Sequence, residues 1–413
     1  MKSKKGSVGR RGFLKGAAAG AAALVRPTPP ARAQQPPQPS RGAAVPSQAA
    51  LARETGARPP ASARVVEHPG SDFMVDVLKT LNLEYLGSNP GSTFESLHES
   101  LINYGDNKMP EFLTCCHEES AVAMAHGYAK IEGKPMMALI HGDIGLQHAA
   151  MAIYNAYADR VPVYMIVGNH ADAAQRGAGV QSLHSAQDLG ALVRDYTKWD
   201  DQPYSLGHFA ESAVRAYKIA MTPPMAPVLI VANNEIQSAP LTGAPPRIPK
   251  LTMTTPPAGD SGAVAEAARM LVAAERPMIV AERAARTPNG LKLMVELAET
   301  LQAPVNNQER MNFPSRHPLN GTGGPGYQPD VTLCLEVNDL QAQARTARAS
   351  GAKVIGISSL SLSHKSNIQD FGHYADIDLD IGADAEATLP SLIEACKKLM
   401  TADRMRAMQD RGT

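Results

Sequence analysis

HEESAVAMAHGYAK, His117 to Lys130, reads as a helix with a carboxylate in its first turn and an inward face made almost wholly of small residues. Counted from Glu118, the residues Ala121, Ala125, Tyr128 and Ala129 stand at i+3, i+7, i+10 and i+11, which places them on one helical face. So bare a face suits close approach of another backbone. A strand-like run, Met136 to His141, follows at once. Then come a turn with Gly142 and Gly145, an alanine-rich helix and a second apolar run from Val161 to Val167. Short, fully apolar strands alternating with helices predict a parallel sheet covered on both faces.

The pattern extends in both directions. FMVDVLKTLNLEYL (Phe73 to Leu86) has helical spacing and passes into GSNPGST, a Gly/Pro turn that ends a short strand and opens the next helix at Phe94. After Asn169 a loop rich in Ala, Gly, Ser and Gln, Ala171 to Gln187, precedes a helix-like stretch and the strand PVLIVANN (Pro227 to Asn234). This predicts a first domain over 67–238, a Pro-rich linker over 239–259 and a second α/β unit over 260–400. The second unit should carry a helix at Val264 to Ala274 and strands at Met278 to Ala281, Val331 to Val337, Val354 to Ile357 and Ile377 to Ile381. Its strand-to-helix turns show no Gly-rich phosphate fingerprint.

The whole chain, 413 residues with 44 % apolar content, can bury two cores. Lys+Arg and Asp+Glu number 40 each, and a single tryptophan is present, so nothing points to nucleic acid as a partner. GRRGFLKG (Gly9 to Gly16), a weakly apolar run and Ala31-Arg32-Ala33 read as a twin-arginine export signal over 1–33, cleaved near Gln34, with a periplasmic destination. Residues 34–66 read as a flexible tether. No cysteine spacing suggests zinc. The adjacent Cys115 and Cys116 fit core packing, and for a periplasmic chain a Cys334–Cys396 pair stays open.

The HE-E-x-A-x-x-x-A-x-GYA pattern, with AIYNAYADRVPVYMIVGN (Ala152 to Asn169), resembles the pyrimidine-binding domain of thiamine-diphosphate-dependent enzymes of acetolactate synthase and benzoylformate decarboxylase type. The second unit, with RPMIVAE, APVNNQ and HPLNGTGG, resembles that family's central domain. The implied fold is two doubly wound parallel-sheet domains, a pyrimidine domain and a Rossmann-like central domain. In the family the glutamate after the histidine hydrogen-bonds N1′ of the aminopyrimidine, favouring the imino form that deprotonates C2 of the thiazolium; Glu118 matches it. A carboxyl held in an apolar pocket can share a proton with that nitrogen. The reaction implied is decarboxylation of a 2-oxoacid, followed by protonation or joining to a second carbonyl.

The resemblance marks further residues. Asn89, Pro90 and Gly91 form the turn placed beside the pyrimidine, though a plain turn needs the same residue types. His141, at a strand end, matches a histidine that reaches substrate in the benzoylformate decarboxylase type, with a structural histidine as the alternative. Gln147 and His148 are candidates for polar contacts with substrate or pyrimidine; Glu119 should face solvent and His117 should cap or orient. His364, Lys365 and His373 read as ordinary loop polar residues. Family members bind the diphosphate through Mg²⁺ with a GDG motif and a later asparagine, and Gly142-Asp143-Ile144 with Asn169 is the nearest stretch. Ile144 stands where glycine is needed, and the segment already belongs to the pyrimidine domain. The expected cofactor is thiamine diphosphate, with Mg²⁺ supplied by a missing domain or a partner chain; the central domain could hold FAD or be structural. The chain is expected to be truncated, one part of a split enzyme, or a non-catalytic binding or regulatory protein that keeps the fold. A homo-oligomer with its interface near the Glu118 helix is expected.

Overall fold

The structure, a computed structural model, describes residues 47–49, 52, 66–176, 183–307, 312–362 and 374–409. The export signal, most of the tether, and His364, Lys365 and His373 lie outside the described residues.

The first sheet has six parallel strands in the order β2-β1-β3-β4-β6-β5. They are β1 (Tyr85–Ser88), β2 (Glu111–Thr114), β3 (Met137–Ile140), β4 (Tyr164–Asn169), β5 (Trp199–Asp201) and β6 (Val228–Asn233). Strand residues alternate between two cores. Leu86, Met137, Leu139, Tyr164, Ile166, Val228 and Ile230 pack toward the helices Gly70–Thr80 and Leu206–Met221. Ala138, Ile140, Met165, Val167, Leu229 and Val231 pack toward the helices Glu118–Glu132 and Gly142–Ala158. Burial on both faces is why these strands read as unbroken apolar runs.

The second sheet, also parallel, is ordered β11-β10-β9-β7-β8. Its strands are β7 (Pro277–Ala281), β8 (Val305–Asn306), β9 (Val331–Leu335), β10 (Lys353–Ser358) and β11 (Leu379–Gly382), and the helices Ser261–Ala273, Pro288–Leu301, Leu340–Ser350 and Ala385–Leu399 cover it. Both sheets are doubly wound. Chain order reverses between β1 and β3 in the first and between β7 and β9 in the second.

Several boundaries differ from the sequence expectations. The run at Val161 contributes strand only from Tyr164, because Arg160 takes a left-handed φ of 49° and Pro162 follows it. The helix after β3 starts at Gly142 itself, not after a turn. β5 was not expected: three polar-ended residues at a sheet edge carry no period. Cys334 and Cys396 are free thiols in the separate cores on the two faces of the second sheet, so the pairing left open by the sequence does not form.

The sheets meet through buried charge. Arg160, just past the helix Gly142–Ala158, donates from Nη1 to Glu336 Oε2 at 2.9 Å and from Nη2 to the Glu336 carbonyl. Glu336 follows β9 and also accepts from Ser359 N, Ala385 N and the Ser358 and Ser359 hydroxyls. Beside it, Asp159 pairs with Arg283 of the second domain. No helix among the described residues is long and apolar enough to cross a membrane.

Candidate functional site

In an open α/β sheet, ligands collect beyond the carboxyl ends of the strands where the winding reverses. Here that point lies between β1 and β3. Asn89–Gly91 follow β1, His141 follows β3, and Glu118 opens the helix after β2.

Glu118 is only 2 % exposed. Its helix is capped by His117, whose Nδ1 accepts from Glu119 N at 3.2 Å, and Glu119 is exposed. The expected bare face is buried, with Ala121, Ala125 and Ala129 inside. Ala121 lies so close under β1 that a Cβ on Gly87 would meet its backbone at 3.2 Å.

The two oxygens of Glu118 differ. Oε1 accepts from Asn89 Nδ2 at 3.3 Å, whereas Oε2 is buried without a hydrogen-bond partner. A Cβ on Gly145 would stand 2.8 Å from Oε1, so only glycine leaves the carboxylate its place. His148 is more than half exposed and brings Nδ1 to 3.5 Å from Oε2. Its ring stacks on that of His117 at 4.6 Å. Candidate ligand atoms of His117, Glu118 and His148 lie within 4.8 Å of one another.

A second polar set surrounds His141. Thr93 Oγ1 accepts from Gly142 N at 3.1 Å and lies 3.0 Å from His141 Nδ1; His141 Nε2 is 2.9 Å from His184 Nδ1. Accepting from the amide uses one of the two lone pairs of Thr93 and leaves its O–H free, and we assign that O–H as the donor to Nδ1. His141 then carries its proton on Nε2 and donates to His184, a tautomer assigned from the network. Burial, and next the neighbouring His184, hold His141 below the ordinary histidine pKa. Gly91 passes directly under the ring, where a Cβ would meet Cγ at 2.2 Å. Asn169 fixes the crossing loop by exchanging two side-chain hydrogen bonds with Ala186.

The structure thus brings Asn89, Glu118 and His148 together, and Gly91 with His141. Pro90 and Gln147 are exposed positions at the rim. Sequence reasoning passed over Thr93 and His184. Thr93 sits in an ordinary turn, and His184 is a lone histidine in a Ser/Ala loop whose contact with His141 spans 43 residues. Gly142, Asp143, Ile144 and Asn169 all belong to this first sheet and its helix, consistent with setting them aside as a diphosphate motif.

Residues 68–189 match the thiamine pyrophosphate enzyme N-terminal TPP binding domain. A Pseudomonas aeruginosa protein named a probable 2-ketoarginine decarboxylase is 32 % identical over 194 residues, 46 % of this chain and 33 % of that protein. Acetolactate synthase of Bacillus subtilis is 21 % identical over 353 residues, 82 % of this chain and 59 % of the synthase. The crystal structure of benzoylformate decarboxylase from Polynucleobacter necessarius superposes with a TM-score of 0.63 at 20 % identity, over 80 % of this chain and 61 % of that one, which establishes the shared fold. The chain therefore spans between a third and about three-fifths of the length of these proteins.

Proposed function

From the chain's place in the thiamine-diphosphate-dependent enzyme family, of acetolactate synthase and decarboxylase type, we propose that it supplies the pyrimidine-binding half of a 2-oxoacid decarboxylase or carboligase. One observation carries this reading: a buried carboxylate at the switch point of the first sheet, with one oxygen oriented by Asn89 and the other making no hydrogen bond, His148 Nδ1 standing 3.5 Å away. A buried acceptor without a donor is unfavourable by about 1–3 kcal/mol, and a protonated ring nitrogen would relieve it. The residues present fit the aminopyrimidine.

When bound, thiamine diphosphate supplies the carbanion-stabilising centre. Glu118 Oε2 would hold the proton shared with the pyrimidine nitrogen, and Asn89 with Gly145 would fix the carboxylate that holds it. His141, kept neutral by burial, can accept or deliver a proton at the mouth of the same crevice. Magnesium takes oxygen ligands. The one group of metal-ligating side chains among the described residues is the imidazole-rich His117–Glu118–His148 set, which suits neither Mg²⁺ nor a diphosphate. By the family resemblance, we assign the Mg²⁺ and diphosphate end of the cofactor to a partner polypeptide or further protein segment.

The second domain reads as structural and not as an FAD site. Just past β9, Glu336 takes the helix N-terminal amide of Ala385 and the Ser359 amide, donors that an incoming phosphate would use. Arg160 from the first domain pairs with it. Family members are oligomers that act on 2-oxoacids. The helices Glu118–Glu132 and Gly142–Ala158 expose Met124, Ile144, Met151 and Tyr154, which supports docking of a second copy on this face. Export by the twin-arginine route is part of the proposal, tested by fusing residues 1–33 to a reporter and replacing Arg10 and Arg11 with lysine.

Calorimetric titration of thiamine diphosphate with Mg²⁺ into the chain, alone and mixed with a diphosphate-domain partner, tests the reading. Binding that Glu118→Gln abolishes supports it. Absence of binding under both conditions refutes it and favours the non-catalytic alternative.

A further inference from the structure

We propose that Glu118, His148 and His117 form a site for a transition-metal dication of the zinc class, and that a metal there blocks the carboxylate that the aminopyrimidine needs. A ligand set of this composition, two histidines and one glutamate, holds zinc with an open fourth position. The distances fit. With zinc to nitrogen and zinc to oxygen near 2.0–2.2 Å, two ligands of a tetrahedral ion stand about 3.4 Å apart, and Glu118 Oε2 lies 3.5 Å from His148 Nδ1. The wider spread of the three residues, 4.8 Å, places His117 as the ligand that must shift inward. It would exchange its hydrogen bond to Glu119 N for the metal, leaving that exposed amide to water.

An independent observation points to a ligand. Oε2 is a carboxylate oxygen, on a side chain 3 % exposed, that makes no hydrogen bond and has only His148 Nδ1 near it, at 3.5 Å, while Asn89 holds the other oxygen. Outer hydrogen bonds of this kind orient a metal-binding carboxylate. The stacked rings of His117 and His148, 13° from parallel, keep both imidazoles on one side of it. Nitrogen ligands favour zinc, copper or nickel over Mg²⁺ or Ca²⁺. The sequence offered no sign of this, because His117 and His148 are on successive helices and follow no metal-ligand spacing.

Metal binding itself does not depend on the proposed function; only the mutual exclusion with thiamine diphosphate rests on that reading. The test uses the full chain without a histidine tag, stripped by chelator, titrated with Co²⁺ by its visible absorption and with Zn²⁺ against a chromophoric chelator. One equivalent should bind with the absorption of a four-coordinate ion, and excess Mg²⁺ should not displace it. His148→Ala, at an exposed position, and Glu118→Gln should each weaken binding at least tenfold. Wild-type affinity in His148→Ala would place the metal elsewhere and overturn the site, as would absence of binding. Thiamine diphosphate, titrated with Mg²⁺ into the zinc-free chain alone and mixed with a diphosphate-domain partner, should lose at least tenfold in affinity when Zn²⁺ is present. Zinc binding with no thiamine diphosphate binding under either condition sinks the proposed function alone, and simultaneous binding of both at full affinity overturns the blockade.

Discussion

Gly145 Cα stands where any added Cβ would come 2.8 Å from Glu118 Oε1. The missing side chain of one residue therefore sets the position of the other's carboxylate. Gly145→Ala must push that carboxylate toward Asn89 or rotate it. Overpacking of this kind is unfavourable by about 1–3 kcal/mol. Thiamine diphosphate affinity should fall at least tenfold, with only a modest loss of thermal stability. Calorimetry and thermal melts on the same preparation separate the two, and unchanged affinity would show that Glu118 is not held by Gly145.

Arg160 should be a sensitive buried junction between the two domains, outside the site. Its guanidinium neutralises Glu336 176 residues away, inside the second domain. Removing one partner of a buried pair is unfavourable by about 3–5 kcal/mol, because the other charge is left behind. Arg160→Met should lower the denaturant midpoint markedly, and the double variant Arg160→Met, Glu336→Gln should recover part of the loss. A single variant that unfolds like wild type contradicts the role.

These two relationships mark what the sequence could and could not show. The helix Glu118–Glu132 was legible because its small residues repeat at the helical period, and β3, β4 and β6 because burial on both faces leaves apolar runs. Glu118 was found through its neighbours' pattern. His184, Thr93, and the Arg160–Glu336 pair were not, since each contact is made by chain crossings that follow no local period. β5 and β8 escaped for another reason: three and two residues are too short for alternation to register.

The order of protons around His141 can be checked directly. Nitrogen-15 NMR should find His141 as the Nε2–H tautomer at neutral pH, titrating below the ordinary 6.5 because burial opposes its charge. His184 also lowers it, so His184→Ala should raise the His141 pKa. A Nδ1–H tautomer would reverse the donor assignment at Thr93.

Thiol reactivity reports the cores. Cys116 is exposed, Cys115 is half-buried with burial raising its pKa, and Cys334 and Cys396 are buried with theirs pushed up to about 12. At about pH 8, near the ordinary thiol value, only thiolate reacts. Mass spectrometry after iodoacetamide should find Cys116 modified first, Cys115 slowly, and the other two only after unfolding. Early modification of Cys334 or Cys396 would contradict their placement.

His126 gives the stability a pH dependence whose sign follows from its surroundings. Its Nε2 lies 2.8 Å from Asp159, a contact that ordinarily favours a charged imidazole. That carboxylate is already shared with Lys130 at 2.8 Å and with Arg283, so a further cation gains little from it. Burial is the largest influence, Lys130 and Arg283 add to it, and together they push His126 down to about 4. The unfolded chain binds the proton near 6.5 and the folded chain does not. Stability is therefore greatest above that value and declines as pH falls toward about 4, because the unfolded state holds more protons across the window. Chemical denaturation at several pH values should show the decline in wild type and a flatter curve in His126→Gln. A steeper fall in the variant would mean that His126 is charged in the folded protein and that Asp159 is the dominant neighbour.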